Sequence, residues 1–275
     1  MSHDVDHITV CEHLRDLMVP KSVVRNFIEL GLGYISVSEV TNRLMSIIKD
    51  KWQNISELII FDKANSIPST FFVAVSNGRN LRYSLTNADI WIKIIQHEGF
   101  DVGVHGIAFT DSAEVKREHE LFGQLSGLDN FGIRLHDIGN KKEDDVKVTS
   151  DNLALLDQAD YLFSSNTFTL VNPYKVGSLW EFPVGIMDGY VFNRDSRWQN
   201  RTLEQAKEDT KKLLSDAHDA GISYFSILFH DFFFSNTYVT QKSWYIWLTD
   251  FCRQEGLGFC SYMDAIRELE QEKKL

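Results

Sequence analysis

Residues 100–136 read FDVGVHGIAFTDSAEVKREHELFGQLSGLDNFGIRLH, and the fold class turns on this stretch. Two short apolar runs, 100–105 and 131–136, flank a charged amphipathic segment that opens at Asp111 and closes at Gly127. A side-chain oxygen caps a helix start and glycine caps its end, so the stretch predicts strand, helix, strand. Both predicted strands finish on a histidine, His105 and His136.

The alternation continues on either side. TNADIWIKIIQHEG (86–99) and TLEQAKEDTKKLLSDAHDAG (202–221) show the same polar start and glycine stop. Between the helical patterns lie STFFVAV (69–75), DYLFSS (160–165), LWEFPVGI (179–186), YFSILFH (224–230) and LGFCSY (257–262), short runs rich in β-branched or aromatic residues, as buried parallel strands require. The polar stretch GNKKEDDVKVTSDN (139–152) reads as a loop running into a capped helix. No Gly-x-Gly-x-x-Gly follows the first strand, and polar groups recur at several strand ends. These features favour an α/β barrel over an open dinucleotide-binding sheet.

At 275 residues and 43% hydrophobic, the chain is long enough to bury a large core, and it is expected to form one domain over 1–275. A net charge of −11 without a basic run argues against nucleic acid as a partner. Cys11, Cys252 and Cys260 form neither a disulfide framework nor a zinc knuckle. No apolar run approaches membrane-spanning length, and the N-terminus lacks the pattern of a signal peptide, so a cytoplasmic location is expected.

Barrel enzymes gather chemistry at the carboxyl ends of their strands. There this chain carries His105, then Arg134 and His136 at matching strand parity, then His230 followed by Asp231. The chain begins with a further candidate, HDVDH (3–7), whose Asp4 and Asp6 share a face if the backbone is extended. Two carboxylates that close call for a cation or a shared proton. Asp and neutral His suit Zn²⁺ or a similar divalent ion. His13, His97, His119 and His218 fall within or near helical patterns and are expected to be structural.

Read in order, these strand ends resemble the polysaccharide deacetylases, carbohydrate esterase family 4, over nearly the whole chain. HDVDH resembles the first motif, IPSTFFV (67–73) a following strand, GFDVGVHG (99–106) the second motif, FGIRLH the arginine-containing third, LWEFPVGIMDG (179–189) a later strand, and ILFHD (227–231) the last. The resemblance implies a distorted (β/α)₇ barrel and metal-dependent removal of an acetyl group from an N-acetylated sugar, as in assembly of cell-surface polysaccharide or lipopolysaccharide. By position, Asp4 is then the general base, Asp6 and His105 metal ligands, Arg134 the group that orients the base, and His230 the general acid. The family's second motif carries another histidine four residues after the first, where this chain has Phe109. His136 is the replacement ligand that strand parity offers, with Asp111 a weaker candidate.

Two other readings compete with sugar deacetylation: a metal-dependent hydrolase of a small amide or ureide, and a non-catalytic carbohydrate-binding relative. Trp180, Trp198, Tyr174 and Tyr190 are candidates to stack on a sugar ring. Glu181 and Asp188 are candidates to orient His230, and DFFFSNTY (231–238) could wall the site or belong to the core.

Overall fold

The computed structural model describes residues 1–14, 16–139, 147–193 and 198–272. Nine strands form one curled sheet: β1 (Ser2–Val5), β2 (Thr70–Val73), β3 (Asp101–Gly106), β4 (Gly132–Leu135), β5 (Phe163–Ser164), β6 (Tyr174–Val176), β7 (Leu179–Glu181), β8 (Val184–Met187) and β9 (Ser226–Leu228), in the order β6-β7-β5-β4-β3-β2-β1-β9-β8. Every pairing is parallel except the β6–β7 hairpin. The edge strands β6 and β8 are not paired with each other, so the sheet is a distorted barrel open between them.

The helices are α1 (Met18–Gly31), α2 (Val37–Ile48), α3 (Ile55–Ala64), α4 (Leu85–His97), α5 (Ser112–Ser126), α6 (Ser150–Gln158), α7 (Asp188–Phe192), α8 (Leu203–Asp219), α9 (Val239–Gln254) and α10 (Tyr262–Glu272). None of the described helices is long and apolar enough to cross a membrane. The decisive stretch folds as read: Asp111 accepts from the backbone N–H of Ala113 and Glu114 to start α5, and Gly127 ends it at φ 69. Such a cap stabilises a helix by about 1 kcal/mol. Thr202 and Thr149 close reciprocal capping boxes on α8 and α6. α4 instead takes its cap from Ser84, two residues before the expected start. The centre of the polar loop over 139–152 lies outside the described residues.

Two expected strands change. The run 179–186 is divided into β7 and β8 at Phe182-Pro183, since proline has no N–H to give a ladder. The run 257–262 forms no strand; it is irregular up to Ser261, and Tyr262 starts α10. Gly256 turns the chain at φ 74 just before it, and β1 already has β2 on one side and β9 on the other. The helical hairpin α1–α2 and helix α3, between β1 and β2, complete the set.

Strand alternation sorts the side chains. On β1, His3 and Val5 point outward. His3 Nε2 meets Asp62 of α3 at 3.0 Å, its Nδ1–H donates to the Phe229 carbonyl at 2.9 Å, and Tyr245 of α9 donates to Asp62 at 2.8 Å. This buried network ties the first strand to two outer helices. Ser2, Asp4 and Asp6 point inward, toward the barrel mouth. Asp4 is registered beside Phe72, and Phe72 beside Gly103. A Cβ at Gly103 would stand 2.7 Å from the Gly132 carbonyl oxygen and 2.8 Å from the Phe72 ring, so only glycine fits there.

A candidate metal centre

β1, β3 and β4 deliver Asp6, His105 and His136 to one point. His105 Nε2 lies 3.1 Å from Asp6 Oδ1 and 3.0 Å from His136 Nδ1, and His136 Nδ1 lies 3.4 Å from Asp6 Oδ1. Ligands about 2.0–2.1 Å from a tetrahedral ion stand about 3.3 Å from one another, so the donor triangle has the size such an ion needs.

Hydrogen bonds behind the ligands set their tautomers. His105 Nδ1–H donates to the Arg134 carbonyl at 3.0 Å, and His136 Nε2–H donates to the Arg79 carbonyl at 3.2 Å. Each ring therefore turns a lone pair toward the other and toward the Asp6 carboxylate. Three acceptors so close repel unless something positive lies among them, and one proton can bridge only one pair. Burial alone would raise the pKa of Asp6, but His230, His105 and His136 hold it well below the usual carboxylate range. The site is thus built around an ionised carboxylate and two imidazoles, a donor set that suits a borderline divalent ion.

Asp4 sits one step deeper on the same face of β1 and is 2% exposed. Its Oδ1 has no hydrogen-bond partner among the described residues, and Arg134 Nη1 stands 3.8 Å away. Its Oδ2 lies 3.9 Å from His105 Nδ1. Arg134 is fully buried, and its planar fork does not grip Asp4 in the bidentate manner its chemistry allows. Its Nη2 donates instead to Ser2, Ser165 and Tyr262, at 3.1, 2.8 and 3.1 Å, while the guanidinium lies over the Phe72 ring at 5.0 Å. The arginine is anchored by neutral oxygens and acts on Asp4 as a nearby charge.

His230 closes the group from β9. Its Nδ1–H donates to Asp188 Oδ1 at 2.8 Å, its backbone N–H donates to Asp188 Oδ2 at 2.6 Å, and its Nε2 points at Asp6 Oδ2, 3.7 Å away. Burial works to lower the pKa of this imidazole, yet the carboxylates of Asp188 and Asp6 more than offset it and push it up to about 10. Asp188, fully buried at the start of α7, therefore does what was expected of either Asp188 or Glu181. Glu181 is engaged elsewhere: it accepts from Ser164 and from the backbone of Asn166 and Thr167, shaping the turn after β5. Asp111 caps α5 and is not part of the cluster.

Two features were not legible in advance. His13, expected to be a minor helix-end residue, is fully buried in a short 3-10 turn. Its Nε2 meets His7 Nδ1 at 3.1 Å and its Nδ1–H donates to Asp16 at 2.7 Å, giving an Asp–His–His chain that ends beside Asp6. Of the four aromatics, Trp180 is buried in the core, Tyr190 packs on Phe168, and Tyr174 is packed against the core, so only Trp198 lines a cavity near the site. The run after His230 serves both expected purposes, with Phe232 and Phe233 on that cavity and Phe234 in the core.

No family model matches the chain, and no curated protein matches it in sequence. Among solved structures, the crystal structure of PuuE allantoinase shares the fold, with a TM-score of 0.56 at 13% identity over 78% of this chain and 71% of that one. Identity that low speaks to architecture alone. The architecture is the distorted β/α barrel that the resemblance implied.

Proposed function

We propose that this chain is a metal-dependent hydrolase of C–N bonds, with Asp6, His105 and His136 as the metal ligands. The observation that carries the reading is the convergence of two imidazole lone pairs and a carboxylate within 3.0–3.4 Å, each ring fixed from behind by a backbone carbonyl. A divalent cation there supplies Lewis acidity, polarising an acyl carbonyl and making water a stronger acid at neutral pH.

The protein's own groups supply the rest. Asp4 receives the proton of the attacking water, with the Arg134 guanidinium 3.8 Å from its carboxylate. His230 carries a proton at Nε2 for the departing nitrogen, while Asp188 holds the ring by Nδ1 and stabilises its charge.

For the substrate, a small amide or ureide is preferred to an N-acetylated sugar. The fold is shared with a protein named as an allantoinase, and three of the four aromatics suited to sugar stacking are committed to packing. Two assays test the proposal: elemental analysis of purified protein alongside Asp6→Ala and His136→Ala, and amine or ammonia release from N-acetyl sugars, small amides and ureides. Stoichiometric metal in the parent and its loss in both variants is the expected result, with turnover confined to amides or ureides. Metal-free parent protein that binds sugars without turnover would replace this reading with the carbohydrate-binding one.

A further inference from the structure

A cavity of about 640 Å³ opens beside the metal centre. His7, next to Asp6, and Phe232, two residues after His230, form its inner wall; the Phe232 ring lies 5.8 Å from the His230 ring and 5.7 Å from the His7 ring. From there it runs beneath the α1–α2 hairpin between Trp52, Trp198, Phe233 and Tyr238. Its volume is that of a site for a small organic molecule.

Its charge is the reverse of the molecule's. The chain carries a net −11, yet among the described residues no aspartate or glutamate lines this cavity, whereas Lys21, Arg25, Arg43 and Lys51 do. Two of the four are neutralised from behind: Arg43 pairs with Glu29 and Glu39 at 2.8 and 2.6 Å, and Arg25 pairs with Glu29 at 2.8 Å. Lys21 and Lys51 form no ion pair among the described residues. Aromatic walls with two uncompensated ammonium groups select a ligand that is apolar along its body and anionic at one end. A neutral polyol would lose hydrogen bonds to water against those walls and leave both lysines unanswered.

We infer that this cavity receives the non-reacting part of the substrate, and that this part is an apolar or aromatic group bearing a carboxylate. The substrate class is then an N-acyl or N-carbamoyl derivative of an apolar acid. The inference rests on the hydrolase reading, but its test does not depend on turnover.

The probes are 4-phenylbutyrate and its neutral isostere 4-phenylbutyramide, with N-acetylglucosamine as the polar comparison, followed by tryptophan fluorescence and calorimetry. The carboxylate is expected to bind at least tenfold more tightly than the amide. Lys21→Ala/Lys51→Ala, two exposed changes away from the metal ligands, should abolish that preference. Asp6→Ala should retain it. Equal binding of acid and amide, a preference undiminished in the double variant, or tighter binding of N-acetylglucosamine would each overturn the inference. If the parent protein shows the preference but binds no metal, the hydrolase reading fails and the cavity assignment stands; a metal-replete parent without the preference gives the converse.

Discussion

Adding zinc to metal-free protein should raise its thermal midpoint, and the size of the rise follows from the donor triangle. The three ligand atoms already stand 3.0–3.4 Å apart, and both imidazoles are held by carbonyls of the barrel mouth, so binding needs little rearrangement. A ligand at one hundred times its dissociation constant stabilises the folded state by about 2.7 kcal/mol. For a chain of 275 residues each kilocalorie moves the midpoint by about 2 °C, giving a rise of about 5 °C. Loss of a direct ligand should weaken binding by about 100-fold or more, since even indirect supports of a ligand are worth 10–100-fold. At the same zinc concentration, Asp6→Ala and His136→Ala would then sit near their dissociation constants and gain about 0.4 kcal/mol, less than 1 °C. His97→Ala, an exposed histidine on α4, should behave as the parent does. Differential scanning calorimetry with and without zinc reads all four proteins. A parent midpoint unmoved at millimolar zinc, or a rise of equal size in both ligand variants, refutes the reasoning.

Asp188→Asn removes the charge that holds the His230 proton while leaving the metal ligands in place; kcat/KM should fall by about 10²–10⁴ with metal content unchanged, and an unaltered rate would exclude His230 as the acid. Gly103→Ala forces a Cβ to 2.7 Å from a backbone oxygen and 2.8 Å from the Phe72 ring, so denaturant unfolding should show a loss of about 1–3 kcal/mol; an unchanged midpoint would show that the barrel interior yields more than its packing implies. Glu118 is 1% exposed and accepts the N–H groups of Ile107 and Ala108 just after β3, and burial raises its pKa against those bonds. Its contribution to stability is therefore complete below its unfolded pKa and is lost as pH rises through the raised folded value. Glu118→Gln, which does not titrate, should gain on the parent as pH rises above the ordinary glutamate range in matched denaturant titrations, and a gap that moves the other way would reverse the sign.

The parts of the site that the sequence disclosed are those governed by a period of two. Asp4 and Asp6, Gly103 and His105, and Arg134 and His136 each occupy alternate positions of one extended run, so parity alone predicts that each pair shares a face, and parallel pairing then brings the faces together. Helices announced themselves by their caps at Asp111, Thr149 and Thr202. What stayed hidden depends on contacts that no local period encodes. His13 meets His7 only because a short 3-10 turn folds back over the barrel mouth, and the cavity exists only because residues 17–52 cross the aromatic run after His230. The apolar run 257–262 has the composition of a strand, but β1 and β9 are each already paired on both sides, a fact of the assembled sheet rather than of the segment.

On the proposed reading, Arg134 couples the base to the metal ligands in this barrel. Its carbonyl accepts the Nδ1–H of His105 and so decides which nitrogen of that ring faces the donor triangle, while its guanidinium stands 3.8 Å from Asp4. Two residues further on, His136 donates its backbone N–H to the Gly106 carbonyl at 2.7 Å, extending the ladder between β3 and β4 to the rim where both ligands stand. A slip of one residue between these two strands would turn His136 and Arg134 out of the barrel together, losing a ligand, a tautomer and the charge beside the base in one step. Gly103 and Gly132 guard that register from below, since a side chain at either would strike the Phe72 or the Phe163 ring. The chemistry at the mouth is thereby tied to close packing beneath it. Substitutions that touch no catalytic group but disturb the β3–β4 register should lower both metal affinity and the turnover measured at saturating metal, whereas an independent metal site would lose only the first.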